Sequence, residues 1–418
     1  MSIVLQRALY QLLLWLALPV IPLRLLLRGF KERGYWRHVP ERFGFAGVLP
    51  NQPVWLHAVS VGEARAAAPL VEALLAQTPA PPVLVTCMTP AGRATLVQLF
   101  GSRVTVRYLP YDYGWAVRRF LQQARPRLGV IMETELWPHL VRESRRAGVR
   151  LYLVNARLSE RSARGYRKLA ALIRDTLAGF EAIAAQTQAD ADRLLALGAP
   201  NVAVCGNLKF DIDPPADQLE LGETFRTRIG GRPTWLVAST REGEERLVLD
   251  AFARAAPADA LLLLVPRHPQ RFDEIAAMVK SRGLSVQRRS ENEAVRDTTR
   301  VWLGDSLGEM FAYYHAADCA LIGGSLLPFG GQNLIEACAV GCPVILGPHT
   351  DNFRQAAEDA IAQGAAVRVD DAAAWADTAA RLIQDAPARL QMGEAGKRFT
   401  AAHKGATARV AALLHVGH

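Results

Sequence analysis

The chain has 418 residues, half of them apolar and 21% charged, which excludes a disordered protein and is more than one ordinary domain holds. The formal net charge of +9 and the isoelectric point near 9.6 call for anionic partners. The basic excess is spread along the chain, and no RNP, helix-turn-helix or finger pattern is present, so nucleic acid is excluded as the partner.

Residues 8–27, ALYQLLLWLALPVIPLRLLL, are about as long as the ~20 residues a helix needs to cross a bilayer. Pro19 and Pro22 kink the run, and its charge-free part stops at Leu23. Arg24, Arg28, Lys31, Arg33, Arg37 and Arg42 come after it, against Arg7 in front. This order is unlike a cleaved signal peptide and places the rest of the chain in the cytoplasm. A spanning anchor with a basic flank is expected over 1–45; the alternative is an amphipathic helix lying on the bilayer.

From Pro53 short apolar runs alternate with helical stretches. Strands are expected at 53–59, 83–89, 104–110, 127–133, 150–156, 181–187 and 202–207, forming a first domain over 46–212. LKFDIDPPADQLELGE, with Pro214-Pro215, reads as a linker. The alternation restarts at 234–240, 261–267, 301–305, 319–324, 343–348 and 365–369, and a helical segment at 388–416 closes a second domain over 213–418. Unbroken apolar strands separated by helices indicate two doubly wound parallel sheets facing a cleft. Ligands of such sheets bind beyond the carboxyl ends of the strands, so the residues just after each strand are the candidates.

After the first strand comes Ser60-Val61-Gly62-Glu63. A carboxylate in the first helical turn is favoured by the helix dipole and is expected to stay ionised near neutrality; S-x-x-E is equally the signature of a capping box. Glu133, in METELWP, ends an apolar strand, where a charge needs either a partner such as an arginine or a cleft. Asn155-Ala156-Arg157-Leu158-Ser159 and the run Arg161, Arg164, Arg167, Lys168 would suit anionic phosphates or form a solvated helix face. Lys209, in GNLKFD, is either a cleft cation or an ordinary surface lysine.

In the second half, prolines flank Arg267-His268 and fix an arginine suited to bidentate phosphate contact. Gly304-Asp305-Ser306-Leu307-Gly308-Glu309 is expected to open a helix where a base or ribose is read. Residues 323–337, GGSLLPFGGQNLIEA, read as strand, glycine-rich loop and helix start, whose free amides would form an anion site. Glu336 suits a ribose diol. The stretch has neither the dinucleotide fingerprint nor the Walker lysine. The D-x-D triplets at 190–192 and 211–213 end no strand, so no metal site is expected. Cys87, Cys205, Cys319, Cys338 and Cys342 read as buried free thiols of a reducing compartment.

HAVSVGEARAAAPL from His57, METELWP, NARLSERS, GNLKFD, VPRHPQR, GDSLGEM and GGSLLPFGGQNLIEA form an ordered set along nearly the whole chain. That set resembles the 3-deoxy-D-manno-oct-2-ulosonic acid (Kdo) transferases of lipopolysaccharide synthesis, glycosyltransferases of the GT-B class. The resemblance implies an α/β GT-B fold of two Rossmann-like domains. It also implies an inverting, metal-independent transfer of Kdo from CMP-Kdo to the 6′-hydroxyl of the tetraacylated lipid A precursor, lipid IVA. By position Glu63 resembles the general base, and Glu133 and Lys209 resemble residues that stabilise the transition state. Arg267, His268, Leu307, Gly308, Glu309, Asn333, Leu334, Ile335 and Glu336 look like the CMP site. No cofactor is implied, CMP-Kdo being the donor substrate. The expected location is the inner membrane, with the catalytic domains on its cytoplasmic side. The rivals are a soluble nucleotide-sugar epimerase of the same architecture and a non-catalytic nucleotide-sugar or lipid-binding module.

Overall fold

The computed structural model describes residues 2–414. The chain forms two compact units: Met1–Asp211 joined by the end of the chain from Lys404, and Ile212–His403. The first holds the strands β1 (Val54–His57), β2 (Val83–Cys87), β3 (Thr105–Tyr108), β4 (Leu128–Met132), β5 (Arg150–Ala156), β6 (Ala182–Ala185) and β7 (Val202–Val204). They make one sheet in the order β3-β2-β1-β4-β5-β6-β7, every pair parallel. The second unit holds β8 (Thr234–Thr240), β9 (Leu261–Pro266), β10 (Val286–Arg288), β11 (Val301–Leu303), β12 (Cys319–Ile322), β13 (Val344–Leu346) and β14 (Ala366–Arg368), in the parallel order β10-β11-β9-β8-β12-β13-β14.

The unbroken apolar runs have a plain cause. Successive side chains of a strand point to opposite faces, and both faces are covered here. Val54 and Leu56 join one core of the first unit while Trp55 joins the other. In the second unit Trp235, Val237, Leu262 and Leu264 pack with helical side chains such as Val248, Phe252 and Trp375. The strand order reverses direction between β1 and β4, and again between β8 and β12. Crevices open at such switch points, which places the residues after these four strands where ligands bind.

The structure departs from the sequence reading in four places. Residues 8–27 are not one helix but parts of two, Ile3–Ala17 and Val20–Lys31, bent by 49° at the break. Pro19 and Pro22 account for it, since a proline lacks the amide that would continue the ladder. No single helix among the described residues is long and apolar enough to cross a membrane; this bent pair passes that test only jointly. Secondly, the segment read as a linker is mostly structured: Leu208–Phe210 is a 3-10 turn and Ala216–Ile229 a helix, entered at Pro215. Thirdly, β10 was not expected, because its three residues lie at a sheet edge with only Gln287 buried. Finally, the closing helix breaks at Gly405, and Ala406, Val410 and Leu414 pack into the core of the first unit. Residues 415 and 416 of that expected helix lie outside the described residues.

The helix Ile3–Ala17 is seated on the first unit by its polar side. The Leu172 amide donates to Gln6 Oε1 at 2.8 Å, Arg7 pairs with Asp175 at 2.7 Å, and Tyr10 donates to the buried Asp112 at 2.6 Å. Tyr113 adds a bond to the Leu14 carbonyl. Leu5, Leu9, Leu12, Leu13 and Leu16 face outward and are exposed.

Candidate active site

Glu63 lies in the first turn of the helix Val61–Leu75, which β1 feeds through Ser60. Ser60 Oγ accepts from the Glu63 amide, so the cap is real, but the carboxylate does more than close it. It accepts from the Val59 amide at 2.7 Å and from Ser60 Oγ at 3.3 Å. The expectation that the helix end keeps this carboxylate ionised does not hold. Burial above all, and then the charges of Glu133 and Glu135, push its pKa up to about 8, against the pull of the Val59 and Ser60 bonds. The result is a strong base in a crowd of acids. His57, by contrast, is wholly buried beside Thr86 and held down to about 4 by desolvation, so it stays neutral.

Glu133 comes directly after β4 with a left-handed backbone, φ +56°, a conformation a glutamate adopts at a cost of about 1 kcal/mol or more. Its amide donates to the Val154 carbonyl at 2.9 Å. The carboxylate that results from this turn meets two cations: Lys209 Nζ at 3.3 Å and Arg157 Nε at 3.5 Å. Glu63, Glu133 and Lys209 are thus brought together within one unit, at the switch between β1 and β4. Arg157 belongs with them; its signal in the sequence was its place directly after β5. Glu135 joins the cluster as well, its pKa raised by burial and by Glu133. Arg161, Arg164 and Arg167 lie on the exposed side of the helix Glu160–Arg167.

In the second unit β9 delivers Arg267, whose amide donates to the Thr240 carbonyl at 3.1 Å, and then His268. Burial first, and then Arg241, Arg267 and Arg271, lower the pKa of His268. Three guanidinium groups around a neutral imidazole suit a phosphate. Of these, Arg271 is anchored by the buried Glu245 at 2.7 Å, and Arg241 lies 4.8 Å over the ring of Phe329. Sequence reasoning missed Arg241 and Arg271.

The loop 304–309 does not open a helix at once; the helix begins at Met310. Asp305 instead accepts from the Ser290 amide and hydroxyl. Glu309 is held by Arg289 at 2.8 Å and by Ser306 and Tyr313, while Leu307 is exposed and Gly308 has φ +82°. The Glu309 side chain is therefore engaged internally.

The loop after β12 departs further from expectation. The amides of its first part are not free for an anion. Glu244, on the helix that comes after β8, is almost wholly buried and accepts from the amides of Gly324 at 2.6 Å, Arg241 at 2.9 Å, Leu326 at 3.1 Å and Leu327 at 3.4 Å. A carboxylate of the protein thus takes the first amides of the stretch that was expected to hold a ligand. The approach is tight: a Cβ on Gly323 would lie 2.5 Å from the Ser239 carbonyl oxygen, and Gly324 has φ +70°. Asn333 bridges the next turn, accepting from the Ile335 amide and donating to Glu336, each at 3.0 Å, so Asn333, Leu334, Ile335 and Glu336 form one braced segment. Replacing Glu244 by Ala leaves buried amides unpaired. The expected result is a loss of about 3 kcal/mol in the unfolding free energy of the second unit, with a roughly tenfold rise in donor KM and little change in acceptor KM. Denaturant melts and steady-state kinetics measure both; an unchanged donor KM would show that the loop does not shape that site.

In each D-x-D triplet the first aspartate is engaged by the protein's own donors. Asp190 accepts from the Leu158 amide and Thr187 Oγ1, and Asp211 from the Gly405 and Thr407 amides. All five cysteines are buried and free.

Comparison with known proteins decides what these two sites belong to. Residues 37–212 match the family model described as 3-deoxy-D-manno-octulosonic-acid transferase (kdotransferase), and residues 279–399 match glycosyl transferases group 1. The 3-deoxy-D-manno-octulosonic acid transferase of Bordetella pertussis is 46% identical, over 96% of this chain and 97% of that one. The chain belongs to the Kdo transferase family. The Haemophilus influenzae transferase is 35% identical over 98% of both chains. A glycosyltransferase structure from Rickettsia africae superposes with a TM-score of 0.61 over 87% of this chain and 97% of the other at 11% identity, a likeness of fold alone. This Kdo transferase is accordingly a GT-B glycosyltransferase, with Glu63, Glu133 and Lys209 in its first unit and the Arg267 to Glu336 segments in its second.

Proposed function

We propose that the chain transfers Kdo from CMP-Kdo to a hydroxyl of the tetraacylated lipid A precursor, with inversion and without a metal, at the cytoplasmic face of the inner membrane. The observation that carries the reading is the cluster of Glu63 with Glu133, Glu135, Lys209 and Arg157. An inverting displacement needs a base on the acceptor hydroxyl, and Glu63, with a pKa near 8, is a carboxylate strong enough to take that proton. The Glu133–Lys209 pair fixes charge beside it, where charge develops as the glycosidic bond forms. Arg241, Arg267 and Arg271 supply positive charge for the CMP phosphate as it leaves. The donor carries a carboxylate and a phosphate and the acceptor two phosphates, in keeping with the net charge of +9.

The amino terminus supports membrane attachment in the plane of the bilayer rather than across it. A helix held to the protein through Gln6, Arg7 and Tyr10, with leucines on its outer side, buries that side in the lipid interface. Arg24 and Arg28 on the next helix then meet anionic headgroups.

One experiment tests both parts. Vesicles of anionic phospholipid carrying lipid IVA are mixed with protein and CMP-Kdo generated in situ, and lipids are read by mass spectrometry. Wild type sediments with the vesicles and adds Kdo to the lipid. A Leu12→Asp/Leu16→Asp variant is expected to lose vesicle binding and most vesicle transfer, and to keep transfer to detergent-dispersed acceptor. Absence of the Kdo adduct with wild type, while a soluble UDP-sugar is epimerised, overturns the assignment. Equal vesicle binding by the variant overturns the in-plane attachment.

A further inference from the structure

Three residues at the end of β5 converge on the Glu133–Lys209 pair. The Val154 carbonyl takes the Glu133 amide at 2.9 Å. Arg157 Nε lies 3.5 Å from the Glu133 carboxylate, and its own carbonyl takes Thr134 Oγ1 at 3.0 Å. Between them, Asn155 Oδ1 takes the Leu208 amide at 3.0 Å, one residue before Lys209.

Asn155 is in an unusual setting. It is wholly buried, yet lies in a strand with φ +53°, at a register shift between β5 and β6 that spans Leu153 to Ala156. Its carbonyl accepts from Gln186 Nε2 at 2.9 Å. Its Nδ2 is buried with no hydrogen-bond partner among the described residues. The orientation of the amide is fixed by chemistry, because the Leu208 group is a donor and must face the oxygen. A buried amide nitrogen without a partner is costly, and asparagine is among the side chains that best tolerate the left-handed backbone this position needs. A neutral acceptor is also the apt choice. An aspartate would place an unpaired charge at a wholly buried position.

We propose that Asn155 is a positioning residue for transfer: its side-chain oxygen holds the segment bearing Lys209 against the end of β5, so that the ammonium meets Glu133. The inference rests on the reading of Glu133 and Lys209 as catalytic groups. It reaches the base as well. The charged and titratable groups facing Glu63 are Glu133 and Glu135, and those facing Glu133 are Lys209 and Arg157 together with Glu63 and Glu135. With Lys209 adrift, Glu133 is less neutralised and deprotonation of Glu63 moves to higher pH.

The test is a double-mutant cycle of Asn155→Gly and Lys209→Ala in the full-length protein, read as kcat, donor KM and the pH dependence of kcat/KM, with thermal melts as the folding control. Glycine tolerates the left-handed backbone, so the variant removes the acceptor without adding strain. The expected result is a ~10–50-fold lower kcat for Asn155→Gly, an unchanged donor KM, a rising pH limb displaced upward, and no further loss in the Lys209→Ala background. Asn155→Ser, whose hydroxyl is one bond shorter, serves if the glycine variant does not fold. A loss that multiplies fully with Lys209→Ala, or an unmoved kcat and pH limb, overturns the proposal. Full activity of Lys209→Ala alone would instead sink the reading of the site on which it stands.

Discussion

Glu63→Gln is expected to lose at least ~100-fold in kcat for Kdo transfer while CMP binding, read by calorimetry, stays unchanged. The variant keeps the shape of the side chain and an oxygen for the Val59 amide, which donates to the wild-type carboxylate at 2.7 Å. The cap of the helix Val61–Leu75 therefore survives, and only the proton acceptor is gone. A cap residue alone would lose stability and keep its rate. Stability moves the other way here. The folded pKa of about 8 is above the ordinary 4.5, so the folded state binds a proton more tightly, and stability falls as pH rises from about 4.5 to about 8. Glu63→Gln mimics the protonated form and lacks that loss. Above pH 8 it is expected to melt at a higher temperature than wild type, by more than about 1 kcal/mol of stability. A variant equally active at all pH values, or less stable than wild type above pH 8, contradicts this account of Glu63.

Lys209→Ala is expected to lower kcat about 100-fold, with donor KM within about threefold of wild type. The ammonium lies 3.3 Å from Glu133, and its loss leaves that carboxylate, set in a strained backbone, with Arg157 as its remaining ion-pair partner. Less positive charge then stands beside the developing bond, and Glu63 becomes harder to deprotonate at neutral pH. Lys209→Arg is expected to recover only part of the rate, because a planar guanidinium does not place a point charge where the ammonium sat. A rise in donor KM with intact kcat would move Lys209 from the reacting centre to substrate binding.

Much of the fold was legible because both sheets are parallel and covered on both faces, which writes strands as unbroken apolar runs. The single expected strand region around 202–207 shrank to Val202–Val204, and β10 went unseen, for the same reason: short edge strands bury too little to leave a pattern. The amino terminus was legible in composition and not in geometry. Its apolar length suggests a span, whereas Gln6, Arg7 and Tyr10, spaced as one helical face, carry the contacts that lay it along the protein. Positions of the site residues came from the rule that chemistry sits after the strands. Their electrostatics did not. The charge state of Glu63 depends on Glu133 and Glu135, some seventy residues away in the chain, which only the pairing of β1 with β4 brings close. Likewise the glycine loop after β12 reads as a nest for a ligand anion, and nothing in its own residues tells that Glu244 already takes its first amides.

The most direct test of the catalytic account is the pH dependence of kcat/KM for Kdo transfer by the wild-type protein, because this ratio reports the free enzyme's ionisations. A base held among Glu133 and Glu135 predicts a rate that rises with pH and levels off with a midpoint near 8. A rate already flat from about pH 6 upward would mean that Glu63 ionises as an ordinary surface glutamate, and the acidic cluster around it would have no part in the chemistry.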